Sequence, residues 1–241
     1  MVSLAGKVVA VVGGAAGIGQ ATAELCAQRG AQVIVADADA TQGPVAAAAM
    51  GARFILVDVT DEAQVQACFE AVGRAPGRLD VLLQTAGILE GAYVPIEEFA
   101  PDTFRRVWDV NVTGSFLCAK HAVPLMRKGG GGVIVLVSSA AATGGGSSYA
   151  YGSSKGGVSA LGVTLAQKLA PDNIRVNVVA PGNISTRMKL GVIEEDSRRR
   201  GIPADRLVQE AGLGLPAGVA CVLAWLASDE AEYVRGAITT R

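Results

Sequence analysis

Val8-Val9-Ala10-Val11-Val12-Gly13-Gly14-Ala15-Ala16-Gly17-Ile18-Gly19 is the stretch whose reading decides the fold. Its first five residues form a short β-branched apolar run, glycines follow directly, and Ile18, Ala21 and Leu25 then recur at helical spacing. That is strand, glycine turn and helix in immediate succession. Such a turn lets the backbone approach a diphosphate closely, and the first amides of the helix offer donors at the positive end of its dipole. Glycine clusters also arise in plain packing turns. The strand before and the helix after are the context that distinguishes a dinucleotide turn from those.

Further apolar runs repeat the pattern outward from this unit. Gln32 to Ala36 ends in Asp37, Arg53 to Val57 runs into Asp58-Val59, and Leu79 to Leu83 is closed by Gln84-Thr85-Ala86-Gly87. Val133 to Val137 ends in Ser138-Ser139, Ile174 to Val179 in Ala180-Pro181-Gly182-Asn183-Ile184-Ser185-Thr186, and Gly236 to Thr240 begins a last strand. Helical patterns separate them at Thr41 to Met50, Asp61 to Val72, Phe104 to Met126 and Pro216 to Ser228, the third broken near Asn111-Val112-Thr113-Gly114. The expectation is an α/β, doubly wound (Rossmann) parallel sheet of about seven strands with helices on both faces. Residues 1–241 fit one domain, with neither repeat nor linker composition to divide them. Segment 187–214 carries alternating blocks of charge and reads as solvated and mobile, and its position suits a lid over a substrate.

Bulk composition narrows the function classes. Half of the 241 residues are hydrophobic and the formal charge is −1, which argues against nucleic acid or an acidic membrane as partner. Cys26, Cys68, Cys118 and Cys221 form no Cys-x-x-Cys pair and read as reduced core residues of a cytoplasmic protein. The single histidine, His121, gives no support to a metal site or a His-based triad. The segment Met1 to Lys7 is too short for a signal sequence, and no apolar run approaches membrane-spanning length.

The chemistry concentrates at Tyr151-Gly152-Ser153-Ser154-Lys155. Residues four apart share a helix face, so phenol and ammonium become neighbours there, whereas Tyr149 falls off that face. To exchange protons near neutrality a tyrosine needs its pKa brought down from about 10, a matter of about 4 kcal/mol. One cation about 4 Å away, at an effective dielectric of about 20, supplies about that much. Burial opposes it, so the positive charge of an oxidised nicotinamide would help. An exposed helical Tyr/Lys pair is the commoner occurrence; the preceding Ser138-Ser139 strand end and the glycine turn argue for the functional one. Asp37 stands about twenty positions beyond the glycines, where a carboxylate grips the ribose hydroxyls of NAD and repels a 2′-phosphate. With Ala15, Ala16 and Ala38 as its neighbours, NAD is favoured over NADP.

The ordered set of the glycine turn, Asp37, Asp58-Val59, Ala86-Gly87, Asn111-Val112-Thr113-Gly114, Ser139, Tyr151-x-x-x-Lys155 and Pro181-Gly182-x-Ile184-x-Thr186 resembles the short-chain dehydrogenase/reductase family over essentially the whole chain. The resemblance implies an NAD-dependent alcohol dehydrogenase or ketoreductase, usually a homotetramer or dimer, with a small alcohol or ketone as its partner and no metal. It carries catalytic roles onto Asn111, Ser139, Tyr151 and Lys155. It carries cofactor contacts onto Gly13, Gly17, Ile18, Gly19, Asp37, Asp58, Val59, Ala86, Gly87, Pro181, Gly182, Ile184 and Thr186, together with Tyr151 and Lys155. In the implied mechanism Tyr151 exchanges the hydroxyl proton, Lys155 lowers its pKa and holds the nicotinamide ribose, Ser139 bonds the substrate oxygen and Asn111 supports a relay water. Strand register selects Ser139, whereas the commonest spacing back from the tyrosine selects Ser138. The sequence departs from the family in having Val12 for threonine before the turn and Thr85 for asparagine before Ala86-Gly87. One strand loses a hydroxyl and its expected neighbour gains one, so a bridge is expected from the opposite side. The ending at Arg241 lacks a Val-Asp-Gly-Gly type tail and puts the last strand in doubt. A catalytically silent NAD-binding sensor or scaffold is the alternative, and a dehydratase or epimerase a third reading. Segment 187–214, Leu89 to Pro95 and Ala140 to Tyr149 are expected to line a largely apolar substrate pocket.

Overall fold

A computed structural model describes residues 2–240. Its strands are β1 (Val8–Val12), β2 (Gln32–Asp37), β3 (Arg53–Leu56), β4 (Val81–Gln84), β5 (Gly132–Val137), β6 (Ile174–Ala180) and β7 (Gly236–Thr239). They pair in parallel in the order β3-β2-β1-β4-β5-β6-β7. Between them run α1 (Gly17–Gln28), α2 (Gln42–Ala49), α3 (Glu62–Arg74), α4 (Pro101–Trp108), α5 (Gly114–Lys128), α6 (Ala141–Gly144), α7 (Tyr149–Leu169), α8 (Arg187–Arg200), α9 (Ala204–Ala211) and α10 (Pro216–Leu226). This is the doubly wound Rossmann fold.

Both sheet faces are buried, and successive side chains of each strand feed opposite layers. Ala10, Leu82, Ile134 and Leu136 pack with Val65, Phe69, Ala122, Met126 and Val158 from α3, α5 and α7. Val9, Val11, Leu83 and Val135 pack on the other side with Ala23, Cys26, Val219 and Leu223 from α1 and α10. Each such fully buried aliphatic side chain contributes about 1.5–3 kcal/mol, which is why continuous apolar runs were readable as strands.

Strand order reverses between β1 and β4, whose connections leave toward opposite sides and open a crevice at the carboxyl ends. The two ends are tied there: the amides of Thr85 and Ala86 both donate to the Val12 carbonyl at 2.9 Å. The hydroxyl of Thr85 adds bonds to the carbonyls of Val12 (2.7 Å) and Gly13 (3.1 Å). The bridge expected from the Val12/Thr85 exchange is therefore present, donated by Thr85 to backbone rather than to a partner side chain. Thr85→Val is expected to lower unfolding stability by about 1 kcal/mol, since the Gly13 carbonyl loses this donor while the Val12 carbonyl keeps its two amides; urea denaturation checks this.

The helix break expected near Asn111 is present, and other elements depart from the sequence reading. The helical pattern through Asn111 is a π-turn, Asp109–Thr113, joining α4 to α5, and Ser115 Oγ donates to the Asn111 carbonyl at 2.6 Å. Segment 187–214 is not a solvated coil but α8 and α9, which end at left-handed Gly201 and Gly212. Its charge blocks sit at helical spacing and pair within each helix: Arg198 with Glu195 (2.6 Å), Arg199 with Asp196 (2.9 Å), Arg206 with Glu210 (3.0 Å). The last strand does form, β7 pairing with β6 from Asn177↔Gly236 to Ala180↔Thr239. Cys26, Cys68 and Cys118 are buried as expected, but Cys221 is exposed, because Val219, Ala220, Leu223 and Ala224 occupy the inward face of α10.

Candidate active site

A cleft of about 1400 Å³ lies along the carboxyl ends of the strands. Gly13, Gly17, Ile18, Gly19, Asp37, Asp58, Val59, Ala86, Gly87, Ser139, Tyr151, Lys155, Pro181, Gly182, Ile184 and Thr186 all line it. Asn111 does not: it is fully buried behind the wall.

At one end the glycine turn is shaped by close approach. Gly13 has φ 82°, and a Cβ there would stand 2.4 Å from the Ala86 nitrogen. At Gly19 a Cβ would stand 2.0 Å from the Gly13 carbonyl and 2.5 Å from Thr85 Oγ1. Gly17, at φ 55°, faces Thr186 Cγ2 at 3.3 Å from its would-be Cβ. Thr186 in turn caps α8, accepting from the Lys189 amide at 3.3 Å. The N-terminus of α1 is thus bare of side chains at Gly17 and Gly19 beside the cleft, a cradle that fits the diphosphate of a dinucleotide.

Asp37 closes β2 with one carboxylate oxygen accepting from the Ala15 amide (2.9 Å) and the other from the Asp39 amide (3.0 Å). Its charge is therefore held against the glycine turn, where the ribose of a bound dinucleotide would lie. Asp58 accepts from the amide and hydroxyl of Thr60 at 2.9 and 2.8 Å, fixing the bend after β3. Val59 is packed against Gly114, whose absent side chain makes the room.

The reacting end is built on α7. Ser148 caps this helix, accepting from the Tyr151 amide at 3.3 Å. Lys155 Nζ lies 5.7 Å from the centre of the Tyr151 ring and donates to the Val137 carbonyl at 2.9 Å. Burial pushes the Lys155 amine down to about 8. Burial also pushes the Tyr151 phenol above its ordinary range, and a hydrogen bond with Ser139 draws it part of the way back. Burial thus opposes ionisation of the phenol, the direction expected from the sequence.

The two serines have different jobs. Ser138 is buried and donates to the Lys155 carbonyl at 2.8 Å while sharing a 2.8 Å bond with Ser159, so it fastens β5 to α7. The Ser139 hydroxyl faces Tyr151 and accepts from the Ala141 amide at 3.2 Å. Ser139→Ala is expected to cut turnover by about 10²-fold or more with little change in melting temperature, and Ser138→Ala to do the opposite. Paired kinetics and thermal melts decide between them.

Asn111 acts through backbone. Its Oδ1 accepts from the Ile88 amide (2.8 Å), and its Nδ2 donates to the Ile88 carbonyl (3.0 Å) and to Ser154 Oγ (2.9 Å). It clamps the turn after β4 to α7, with Gly87 between: a Cβ on Gly87 would stand 3.1 Å from both Asn111 Oδ1 and Lys155 Nζ. Tyr93, Met188 and Val192 line the cleft from the segments expected to do so, whereas sequence reasoning missed Ile88, Thr60 and Val110, since nothing local marks them. Among the described residues no cluster of His, Cys, Asp or Glu is suited to a metal, and no helix is long and apolar enough to cross a membrane.

Comparison with known proteins agrees with this fold. A family model described as enoyl-(acyl carrier protein) reductase matches residues 13–240. A cis-4-hydroxycyclohexanecarboxylate dehydrogenase of Sinomonas cyclohexanicum is 39% identical over 98% of this chain and 95% of its own length. A (+)-borneol dehydrogenase of Salvia officinalis is 35% identical over 97% of this chain and 91% of its own. The structure of an L-sorbose reductase from Gluconobacter frateurii, complexed with NADPH and L-sorbose, superposes with a TM-score of 0.91 at 28% identity, covering 99% of this chain and 96% of that one.

Proposed function

The chain belongs to the short-chain dehydrogenase/reductase family, oxidoreductases acting on alcohol- or ketone-type substrates, and from that premise we propose that it interconverts a secondary alcohol and its ketone with NAD(H), Tyr151 exchanging the hydroxyl proton. The observation that carries the reading is the convergence of Tyr151, Ser139 and Lys155 on one end of a cleft whose other end is the glycine turn. A bound nicotinamide dinucleotide supplies the hydride acceptor or donor and, when oxidised, a positive charge. Gly13, Gly17 and Gly19 would leave room for its diphosphate, Asp37 would accept from its adenosine ribose, and Lys155 would hold its nicotinamide ribose.

The protein's own groups then do the following. Ser139 donates to the substrate oxygen and orients its carbon. Tyr151 takes the hydroxyl proton during oxidation and returns it during reduction. Lys155, with its ammonium favoured once anionic and hydroxyl groups fill the cleft, lowers the cost of the phenolate. Asn111 positions the turn over which the cofactor passes. Residues 1–241 act in this reading as one nucleotide-binding domain, with the 187–214 segment over the substrate.

Mixing the protein with NAD and a panel of cyclic and acyclic secondary alcohols, while following NADH absorbance, tests the proposal. Binding of NADH without turnover of any alcohol or ketone would instead favour a silent NAD-binding sensor. Asp37 supports the choice of NAD: a 2′-phosphate beside a carboxylate meets like-charge repulsion. Titration of intrinsic fluorescence is expected to give about ten- to a hundred-fold tighter binding of NADH than NADPH, and Asp37→Ser is expected to erase most of that difference. Equal affinities in the unmodified protein would remove the argument.

A further inference from the structure

Tyr93 stands on the loop between β4 and α4 in a left-handed conformation, φ 62°, which residues bearing a side chain rarely adopt. Such strain persists only where surrounding contacts impose it. Here the Tyr93 amide donates to the Ser147 carbonyl at 2.7 Å. One residue on, Ser148 Oγ donates to the Glu90 carbonyl at 2.6 Å, and Arg106 holds the Glu90 carboxylate at 3.2 Å. The same Ser148 caps the helix that carries Tyr151. The backbone that carries the Tyr93 ring is thus fixed relative to the reacting end of the cleft, which Tyr93 lines.

The Arg199 guanidinium sits over that ring, 4.7 Å from its centre. Met188, Val192, Asp196 and Arg199 are spaced four, four and three residues apart and share one face of α8. Met188 and Val192 line the cleft, while Asp196 accepts from Arg199 at 2.9 Å and from Arg200 at 3.1 Å, which aims the guanidinium at the ring. One helix face therefore covers the cleft with apolar side chains at its start and fastens to the loop after β4 near its end. We infer that Tyr93 and Arg199 form a latch holding α8 over the reacting end, and that Tyr93 is a positioning residue governing retention of an apolar secondary alcohol. The retention part rests on the proposed function; the latch does not.

A cation over an aromatic ring at a partly exposed site changes an opening equilibrium by about two- to five-fold. Amide hydrogen exchange across Arg187–Arg200, measured on the full chain with NADH, is expected to speed up by about that factor in Tyr93→Ala and in Arg199→Ala. The double variant should exchange no faster than either single one, and Tyr93→Phe, which keeps the ring, should keep the slow exchange. Tyr93→Asn tolerates the left-handed backbone while removing the ring, so it should behave as Tyr93→Ala does without threatening the fold. With the panel alcohol of highest kcat/KM, the ring-removing variants should raise KM more than they lower kcat. Unchanged exchange in α8, additive effects in the double variant, or Tyr93→Phe behaving as Tyr93→Ala would overturn the latch. Full activity of Tyr151→Phe would overturn the catalytic reading instead and leave the exchange result standing.

Discussion

Tyr151→Phe is expected to lower kcat/KM by about two to four orders of magnitude while NADH still binds, because the substitution keeps the ring and removes only the proton-exchanging oxygen. The ring is packed at the reacting end with its hydroxyl beside Ser139, so removing the oxygen leaves the wall of the cleft in place. The pH dependence supplies a second signature. Burial holds the phenol above its ordinary range, so in the absence of a nearby cation it stays protonated through neutrality. Alcohol oxidation needs the phenolate, whose fraction grows as pH rises; oxidation should therefore accelerate toward alkaline pH. Ketone reduction needs the protonated phenol and should fall over the same interval. Lys155 bends the upper end of the profile, since burial pushes its amine down to about 8. Rate profiles in both directions for the parent and Tyr151→Phe decide the matter: a variant that retains full activity, or the same alkaline limb, would falsify the proton-exchange role.

The sheet was legible because its five inner strands bury both faces, so the sequence of each is a continuous apolar run whose end is marked by glycine, serine or a carboxylate. Tyr151 and Lys155 were legible because their relation is local, four residues along one helix. Asn111 was legible as a break in a helix but not as a clamp, since its partners Ile88 and Ser154 lie on two other elements. The charge-rich segment 187–214 misled for a related reason: alternating charges describe a solvated coil and a helix with internal ion pairs equally well, and what separates them is the Thr186 cap and the left-handed glycines at each helix end. Ser138 and Ser139 could not be separated by spacing, because adjacent residues at a strand end point opposite ways and only the packed helix says which way is the cleft.

Gly19→Ala is expected to be among the most damaging single substitutions in the chain, costing about 3 kcal/mol or more of stability and weakening NADH binding at least about tenfold. From the sequence, all three glycines of the turn read as backbone left bare for a diphosphate. The structure separates them. Gly13 and Gly17 hold left-handed backbone, whereas Gly19 is already inside α1 with helical geometry that alanine would normally favour. Its constraint is spatial: a methyl there would stand 2.0 Å from the Gly13 carbonyl and 2.5 Å from the Thr85 hydroxyl that bridges β4 to β1. Neither neighbour is the free end of a flexible side chain, so α1 must move off the strand ends or the Thr85 bridge must open. Either movement displaces the α1 amides from the cleft, which is why stability and cofactor affinity should fall together. Urea unfolding and NADH titration of the same variant provide the check. Lost affinity at parent-like stability would mean that the methyl meets the dinucleotide rather than the sheet, and the packing argument for Gly19 would have to be given up.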